Sequence, residues 1–173
     1  MYSKNKIALI GMPLSGKSTI AKALSACMKV HYADLDDEIE KKYGSIASIF
    51  AERGEKEFRK IEKCTLQGLF KKHKDDRLVL STGGGTPLCS KAVALLKQHC
   101  IVVWLRISLE ALLYRMADDG NHRPLLAEEK EKNMKMLYEQ RQDIYAFANI
   151  IVDVERKSVE EIVQEIKKAT GIN

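Results

Sequence analysis

Residues Gly11-Met12-Pro13-Leu14-Ser15-Gly16-Lys17-Ser18 spell GxxxxGK[ST], preceded by the apolar run Ile7–Ile10 and followed by a stretch of helical period. A chain with this segment has to place a strand, a tight glycine turn and a helix in immediate succession. Glycine lets the backbone turn so that successive amide hydrogens converge on one point. The helix beginning near Gly16 aims its positive end at the same place. Lys17 can reach the β- and γ-phosphates of a nucleotide, and Ser18 can offer its hydroxyl to Mg2+. Asp36 lies 20 residues after Gly16, as in a dinucleotide fingerprint, but the glycine spacing here is GxxxxG followed by Lys. The segment reads as a nucleoside triphosphate site.

Short apolar runs alternate with longer helical stretches along the rest of the chain, the pattern of an α/β protein with a parallel sheet. Strands are expected at Ile7–Ile10, Val30–Asp34, Leu78–Ser81, Ile101–Arg106 and Ile150–Val154. In the first helix Ile20, Leu24, Cys27 and Met28 share one face. Ser45 reads as an N-cap, Gly54 as a helix stop, and Glu55–His73 as a further helix. Ser90 and Ser108 are expected to cap two more helices, with Glu128–Ala148 and Ser158–Ala169 completing the set. Two regions interrupt the alternation. Asp36–His73 holds too much helix for a simple crossover, and Asp118–Glu131 is polar, with Gly120 and Pro124. Both suit insertions over the edge of the sheet where ligands bind, or else ordinary surface segments.

At 173 residues, the chain is sized for one domain. Its 45% hydrophobic and 31% charged residues exclude a disordered or collagen-like chain. The longest apolar run, Cys100–Leu105, is far too short to span a bilayer, and no signal peptide is apparent. Cys27, Cys64, Cys89 and Cys100 show no metal-ligand spacing, which suits reduced thiols and a cytoplasmic protein. The net charge of +5 is small, and no basic block is interleaved with aromatic residues, so nucleic-acid and membrane partners are not expected.

A phosphate loop identifies a donor and leaves the acceptor open. Four further segments bear on the acceptor: Asp34-Leu35-Asp36, Glu57–Glu62, Ser81–Gly85 and Arg123–Leu126. Each has a plain structural reading. Asp34 and Asp36 could be helix-start acids, and Arg59 could pair with Glu55 or Glu62 along one helix face. Gly83–Gly85 could be a loose turn, and Arg123 a solvated charge.

Taken in order, the motifs resemble the shikimate kinase family. They are GxxxxGKST at Gly11–Thr19, DxD at Asp34–Asp36, IFxxxGExxFRxxE at Ile49–Glu62, GGG at Gly83–Gly85, RPLL at Arg123–Leu126 and RxxxY at Arg141–Tyr145. The resemblance implies a P-loop kinase with a five-stranded parallel sheet of order 2-3-1-4-5 and helices on both faces. It implies a substrate-binding insertion at about 34–62 and a lid at about 112–128 within a single domain spanning 1–173. The reaction implied is MgATP plus shikimate giving shikimate 3-phosphate and ADP, a step toward aromatic amino acids, in a monomer. Other small kinases, acting on gluconate or a nucleoside monophosphate, would need a different acceptor pocket. A nucleotide-dependent regulatory or nucleic-acid-binding ATPase would need the basic block that is lacking.

Residue by residue, Arg59 and Arg141 match the family's carboxylate-binding arginines, and a guanidinium suits a bidentate pair. Asp36 matches the aspartate that holds the attacking hydroxyl and takes its proton. Asp34 matches the acid near Mg2+, acting through a water, with Ser18 as the hydroxyl ligand. Gly83, Gly84 and Gly85 would let the backbone approach the ring. Arg123 resembles the lid arginine that neutralises charge on the transferring phosphoryl group. Arg115 aligns with an arginine stacked on adenine. The chain departs from the pattern at Leu14, where most relatives carry glycine, and at Gln142 and Asp143, where a proline-containing turn is usual.

Overall fold

A computed structural model describes residues 4–118 and 124–172, with backbone alone at 118 and 124–128. Five strands form one sheet: β1 (Lys6–Ile10), β2 (His31–Asp34), β3 (Leu78–Ser81), β4 (Ile101–Arg106) and β5 (Ile150–Asp153). Their order is β2-β3-β1-β4-β5, and every neighbouring pair is parallel. The family fold and strand order expected above are therefore present. All five residues of β1 are buried, because the central strand is covered on both faces and flanked on both edges.

The helices are α1 (Lys17–Met28), α2 (Leu35–Tyr43), α3 (Ile46–Lys72), α4 (Ser90–His99), α5 (Leu109–Asp118), α6 (Pro124–Tyr145) and α7 (Val159–Thr170). They group around the sheet, α1 packing on α7 and α3 on α4. Ile20, Leu24 and Met28 turn inward from α1, but Cys27 is exposed, since its position falls just off the apolar stripe. Ser45 caps α3 by accepting the Ser48 amide at 3.1 Å. Gly54 breaks the helical path with φ 72° and ψ 171°, yet α3 resumes at once and continues to Lys72. Ser158 and Glu161 form a reciprocal capping box on α7.

Two helix starts differ from expectation. Ser90 lies inside the first turn of α4, and Cys89 occupies the cap position without a side-chain bond. The 3-10 turn Thr86–Leu88 shifts the start by one residue, through Cys89 N–H donating to the Thr86 carbonyl at 3.2 Å. The sixth helix begins at Pro124, a residue favoured in the first turn, and ends at Tyr145, so it lies earlier than the expected Glu128–Ala148. Arg123 and Gly120 lie outside the described residues. Leu112, where the expected lid begins, is fully buried in α5. No described helix is long and apolar enough to cross a membrane.

Candidate active site

The C-terminal ends of β1, β2 and β3 converge, as ligand-binding crevices in open parallel sheets do. The phosphate loop leaves β1 and feeds α1. Gly11 has φ 147°, and a Cβ there would lie 2.7 Å from the Leu105 carbonyl oxygen, so the turn fits only glycine. Gly16 caps α1 in the left-handed region at φ 90°. Ser15 is buried, and its hydroxyl has no hydrogen-bond partner. A buried, unpartnered hydroxyl in a glycine turn at the start of a helix suits an anion cradle.

Leu14 takes φ 63°, a strained value for a residue with a branched side chain. It projects outward at 39% exposure, so substitution removes little packing. Relief of the left-handed strain, about 1 kcal/mol, opposes the greater unfolded-state freedom of glycine, about 0.4–1 kcal/mol. Leu14→Gly should therefore change stability by less than about 1 kcal/mol, read by urea denaturation. A larger loss would mean that the side chain packs more than its exposure indicates.

Lys17 is buried, and its Nζ donates to the Met12 carbonyl at 2.7 Å. Burial lowers its pKa from 10.5 to about 8, while Asp36 and Asp34 raise it and Arg141 lowers it further. At the next residue, the Ser18 hydroxyl donates to Asp34 Oδ2 at 2.7 Å and lies 3.2 Å from the Ser81 hydroxyl. Asp34 also caps α2, Oδ1 accepting the Asp36 amide at 3.0 Å. The helix-start reading of Asp34 and its place beside Ser18 are thus both realised, one by each carboxylate oxygen. Ser18 and Asp34 are hard oxygen donors on adjacent elements, a donor set that fits Mg2+.

Asp36 stands over the turn after β3. Burial raises its pKa from 3.8 to about 6, helped by Asp34 and Glu62 and opposed by Lys17, with Glu40 a smaller contributor. The three glycines beneath it are each overlaid by a different side chain. A Cβ on Gly83 would lie 2.8 Å from Asp36 Oδ1. On Gly84 it would lie 2.9 Å from Pro13 Cδ and 3.2 Å from Arg141 Nη1. On Gly85 it would strike the Arg59 guanidinium. Gly83–Gly85 is therefore a floor on which one carboxylate and two guanidinium groups converge. A loose turn would leave these groups apart.

Arg59 is also held from its own helix. Its Nη1 donates to Glu62 Oε2 at 2.9 Å and its Nη2 to Glu55 Oε1 at 3.2 Å. Glu62 is only 1% exposed, and its other oxygen accepts the Thr86 hydroxyl at 2.6 Å. The Arg59 Nε is buried with no partner. The guanidinium is thus fixed in direction and keeps an unused donor.

The RxxxY pair on α6 works from the opposite side. Tyr145 is fully buried and donates its hydroxyl to the Gly84 carbonyl at 2.7 Å. It joins the glycine floor to α6 while Arg141, one turn earlier, lies over Gly84. Arg115, from α5, donates to the Leu14 carbonyl at 2.9 Å, at the mouth of the phosphate loop. Thr19 is exposed on the first turn of α1.

The structure therefore gathers Lys17, Ser18, Asp34, Asp36, Arg59, Arg141 and Gly83–Gly85 at one end of the sheet. Glu62, Thr86 and Tyr145 complete the site, and none of them is expected from the sequence to bind substrate, nucleotide or metal. Glu62 had a signal, its three-residue spacing from Arg59 within the IFxxxGExxFRxxE motif. The Thr86–Glu62 contact, 24 residues apart in sequence, had none.

Comparison with known proteins accords with this geometry. A family model described as shikimate kinase matches residues 13–170. A shikimate kinase from Sulfurihydrogenibium sp. is 38% identical over 161 residues, covering 92% of this chain and 94% of the relative. Another, from Clostridium botulinum, is 40% identical over 170 residues, covering 96% and 98%. A shikimate kinase structure from Acinetobacter baumannii in complex with shikimate superposes with a TM-score of 0.84 at 30% identity, covering 97% of this chain and 93% of that one. Phosphate loop, glycine floor and convergent charges thus sit on a fold that similarity traces along almost the whole length, and the chain belongs to the shikimate kinase family.

Proposed function

We propose that the chain transfers the γ-phosphoryl group of ATP to a hydroxyl of shikimate, giving shikimate 3-phosphate and ADP. The observation that carries this reading is the glycine floor with Asp36, Arg141 and Arg59 laid over successive residues. Shikimate is a cyclohexene carboxylate with three hydroxyls. It needs cations at one end, an acceptor for a hydroxyl proton at the other, and close backbone approach between them.

In this reading Arg59 and Arg141 hold the carboxylate, and the unused Nε of Arg59 is one of the donors. Asp36 accepts the proton of the attacking hydroxyl as the new oxygen–phosphorus bond forms and the bond to the β-phosphate oxygen breaks. The amides of Gly11–Gly16, the Ser15 hydroxyl and Lys17 cradle the phosphates of ATP. Ser18 and Asp34 would hold Mg2+, Asp34 through a water, and the ion would supply positive charge beside the phosphates of ATP. Arg115 stacks on the adenine ring, and Arg123, on a lid at about 112–128, neutralises the transferring group. Residues 34–62 act as the substrate-binding insertion. Most of the catalysis is positioning and charge neutralisation, which a preformed floor and cradle supply. The chain acts as a monomer without a nucleic-acid or membrane partner.

The test is ADP release with shikimate, gluconate, AMP, CMP, single-stranded RNA or no acceptor. Release with shikimate alone is expected. Faster release with gluconate or a nucleotide would replace the acceptor assignment, and release with RNA would replace the class.

Arg59 and Arg123 should fail differently. Loss of a charge-assisted pair of about 1.5–3 kcal/mol predicts that Arg59→Ala raises KM for shikimate about 10- to 100-fold. Because Arg59→Ala also strips a partner from buried Glu62, Arg59→Lys is the control. It keeps a charge beside Glu62 but loses the planar fork, so KM should still rise. Arg123→Ala should lower kcat and leave shikimate binding unchanged. Equal KM values for all three variants and the parent would move the carboxylate site elsewhere.

A further inference from the structure

The opposite end of the sheet carries a cluster that phosphoryl transfer does not use. His31 opens β2, His73 follows the last turn of α3, and Asp76 lies in the loop before β3. One ligand atom from each lies within 4.8 Å of the other two. His73 Nδ1 is 3.1 Å from Asp76 Oδ2, and His31 Nε2 is 3.8 Å from the same oxygen. The two imidazole rings are tilted by 47° with centroids 5.0 Å apart.

A tetrahedral ion with bonds of about 2.0–2.1 Å keeps its ligand atoms about 3.3 Å apart. The two distances to Asp76 already bracket that value. The histidine nitrogens lie within 4.8 Å of each other, and the His31 side chain, 61% exposed, can turn toward buried His73 to close any remaining gap. The backbone beneath is held from several directions. His31 N–H donates to the Arg77 carbonyl at 3.2 Å, and His73 N–H to the Leu69 carbonyl at 3.0 Å. Lys6 Nζ donates to the Lys74 carbonyl at 2.9 Å. The backbone frame is fixed, so binding an ion costs chiefly the rotamer freedom of His31 and Asp76.

The donor set selects the ion. Two imidazoles and one carboxylate suit zinc, copper, nickel or cobalt and are poor for Mg2+ or Ca2+. Lys29, Asp75 and Arg77 line the same cleft, so with Asp76 the local charges balance. Lys71 and Lys72 in the last turn of α3 oppose the attraction of that helix end for a cation. Affinity then rests on the coordinate bonds rather than on a general negative field.

We propose that His31, His73 and Asp76 form a binding site for a divalent transition-metal ion of the zinc type, with water completing the shell. The ion would tie the foot of the strand that ends in Asp34 to the end of the helix that carries Arg59. Binding only to the folded chain, it would raise the melting temperature by mass action. The competing account is a hydrogen bond between His73 and Asp76 with His31 packed beside it.

Metal-free protein, without nucleotide, is titrated with Co2+ by visible absorption and with Zn2+ by calorimetry. One equivalent should bind, and His31→Ala and Asp76→Asn should each weaken it by at least about tenfold. Both side chains are exposed, so these variants should fold, which their unfolding curves without metal will report. Cys27 and Cys64 are exposed thiols that could capture either ion, and a thiolate-to-cobalt charge-transfer band would reveal them. Lack of stoichiometric binding, equal affinity in both variants, or a dominant thiolate band would overturn the proposal.

Discussion

Lys17→Ala is expected to lose at least about 100-fold in kcat, read as ADP release at saturating ATP and shikimate. The side chain is buried under the loop with its Nζ on the Met12 carbonyl, so its charge is already inside the cradle before phosphates arrive. In the reaction, negative charge moves from the γ-phosphoryl group toward the oxygen of the β-phosphate. A fixed ammonium beside that oxygen is worth more in the transition state than in the ground state, and only such a difference raises kcat. Alanine removes the charge and leaves the backbone amides in place, so ATP binding should fall less than turnover. Retention of more than about a tenth of the parent kcat, a loss under about 1.4 kcal/mol, would mean that the phosphates lie elsewhere. The pKa of about 8 adds a second reading of the same role. The ammonium is the charged form, so kcat/KM should fall as pH rises through about 8, before phosphates bind and restore the proton.

The parts of the fold legible in the sequence were those written in local patterns. Continuous apolar runs marked β1, β3 and β4 because these inner parallel strands are buried on both faces, and four of the five strands end where expected to the residue. The phosphate loop was legible because its chemistry is contained in eight consecutive positions. Helix starts were less so. A cap depends on where the preceding turn delivers the chain, and the 3-10 turn at Thr86–Leu88 starts α4 one residue early, with Cys89 at the cap and Ser90 inside the helix. Gly54 signalled a stop, which the backbone realises as a break within a longer run. The site divided in the same way. Arg59 and Glu62 share a helix face, and their pairing could be read from spacing. That Glu62 is braced by Thr86, that Tyr145 holds the Gly84 carbonyl, and that His31 meets Asp76 are consequences of tertiary packing between distant segments. No local pattern encodes them.

Asp36→Asn should separate catalysis from stability. A positioned general base contributes about 10²- to 10⁴-fold, and the amide keeps the shape of the carboxylate without its ability to take a proton. Turnover should fall within that range, and ATP affinity should stay near that of the parent because the phosphate cradle is untouched. The pH profile supplies the sign. Asp36 must be ionised to act, so kcat/KM of the parent should decline as pH falls through about 6. Stability should move the other way. Burial and the neighbouring charges of Asp34 and Glu62 make the ionised form costly in the fold, raising the pKa from 3.8 to about 6. The folded chain therefore binds this proton more readily than the unfolded chain, and the carboxylate costs stability as pH rises across that window. The rise corresponds to at most about 3 kcal/mol, which partial exposure to solvent reduces to about 1–2 kcal/mol. Asp36→Asn should be more stable than the parent by about that amount at pH 8, with the gain shrinking toward nothing only below the unfolded value of 3.8, near pH 3. Denaturant unfolding at the two pH values reads the difference, and ADP release reads the loss of turnover. Normal turnover with shikimate would reduce Asp36 to a helix-start acid. Lost turnover without a stability gain at pH 8 would keep it as the base but show that the site accommodates its charge at no cost.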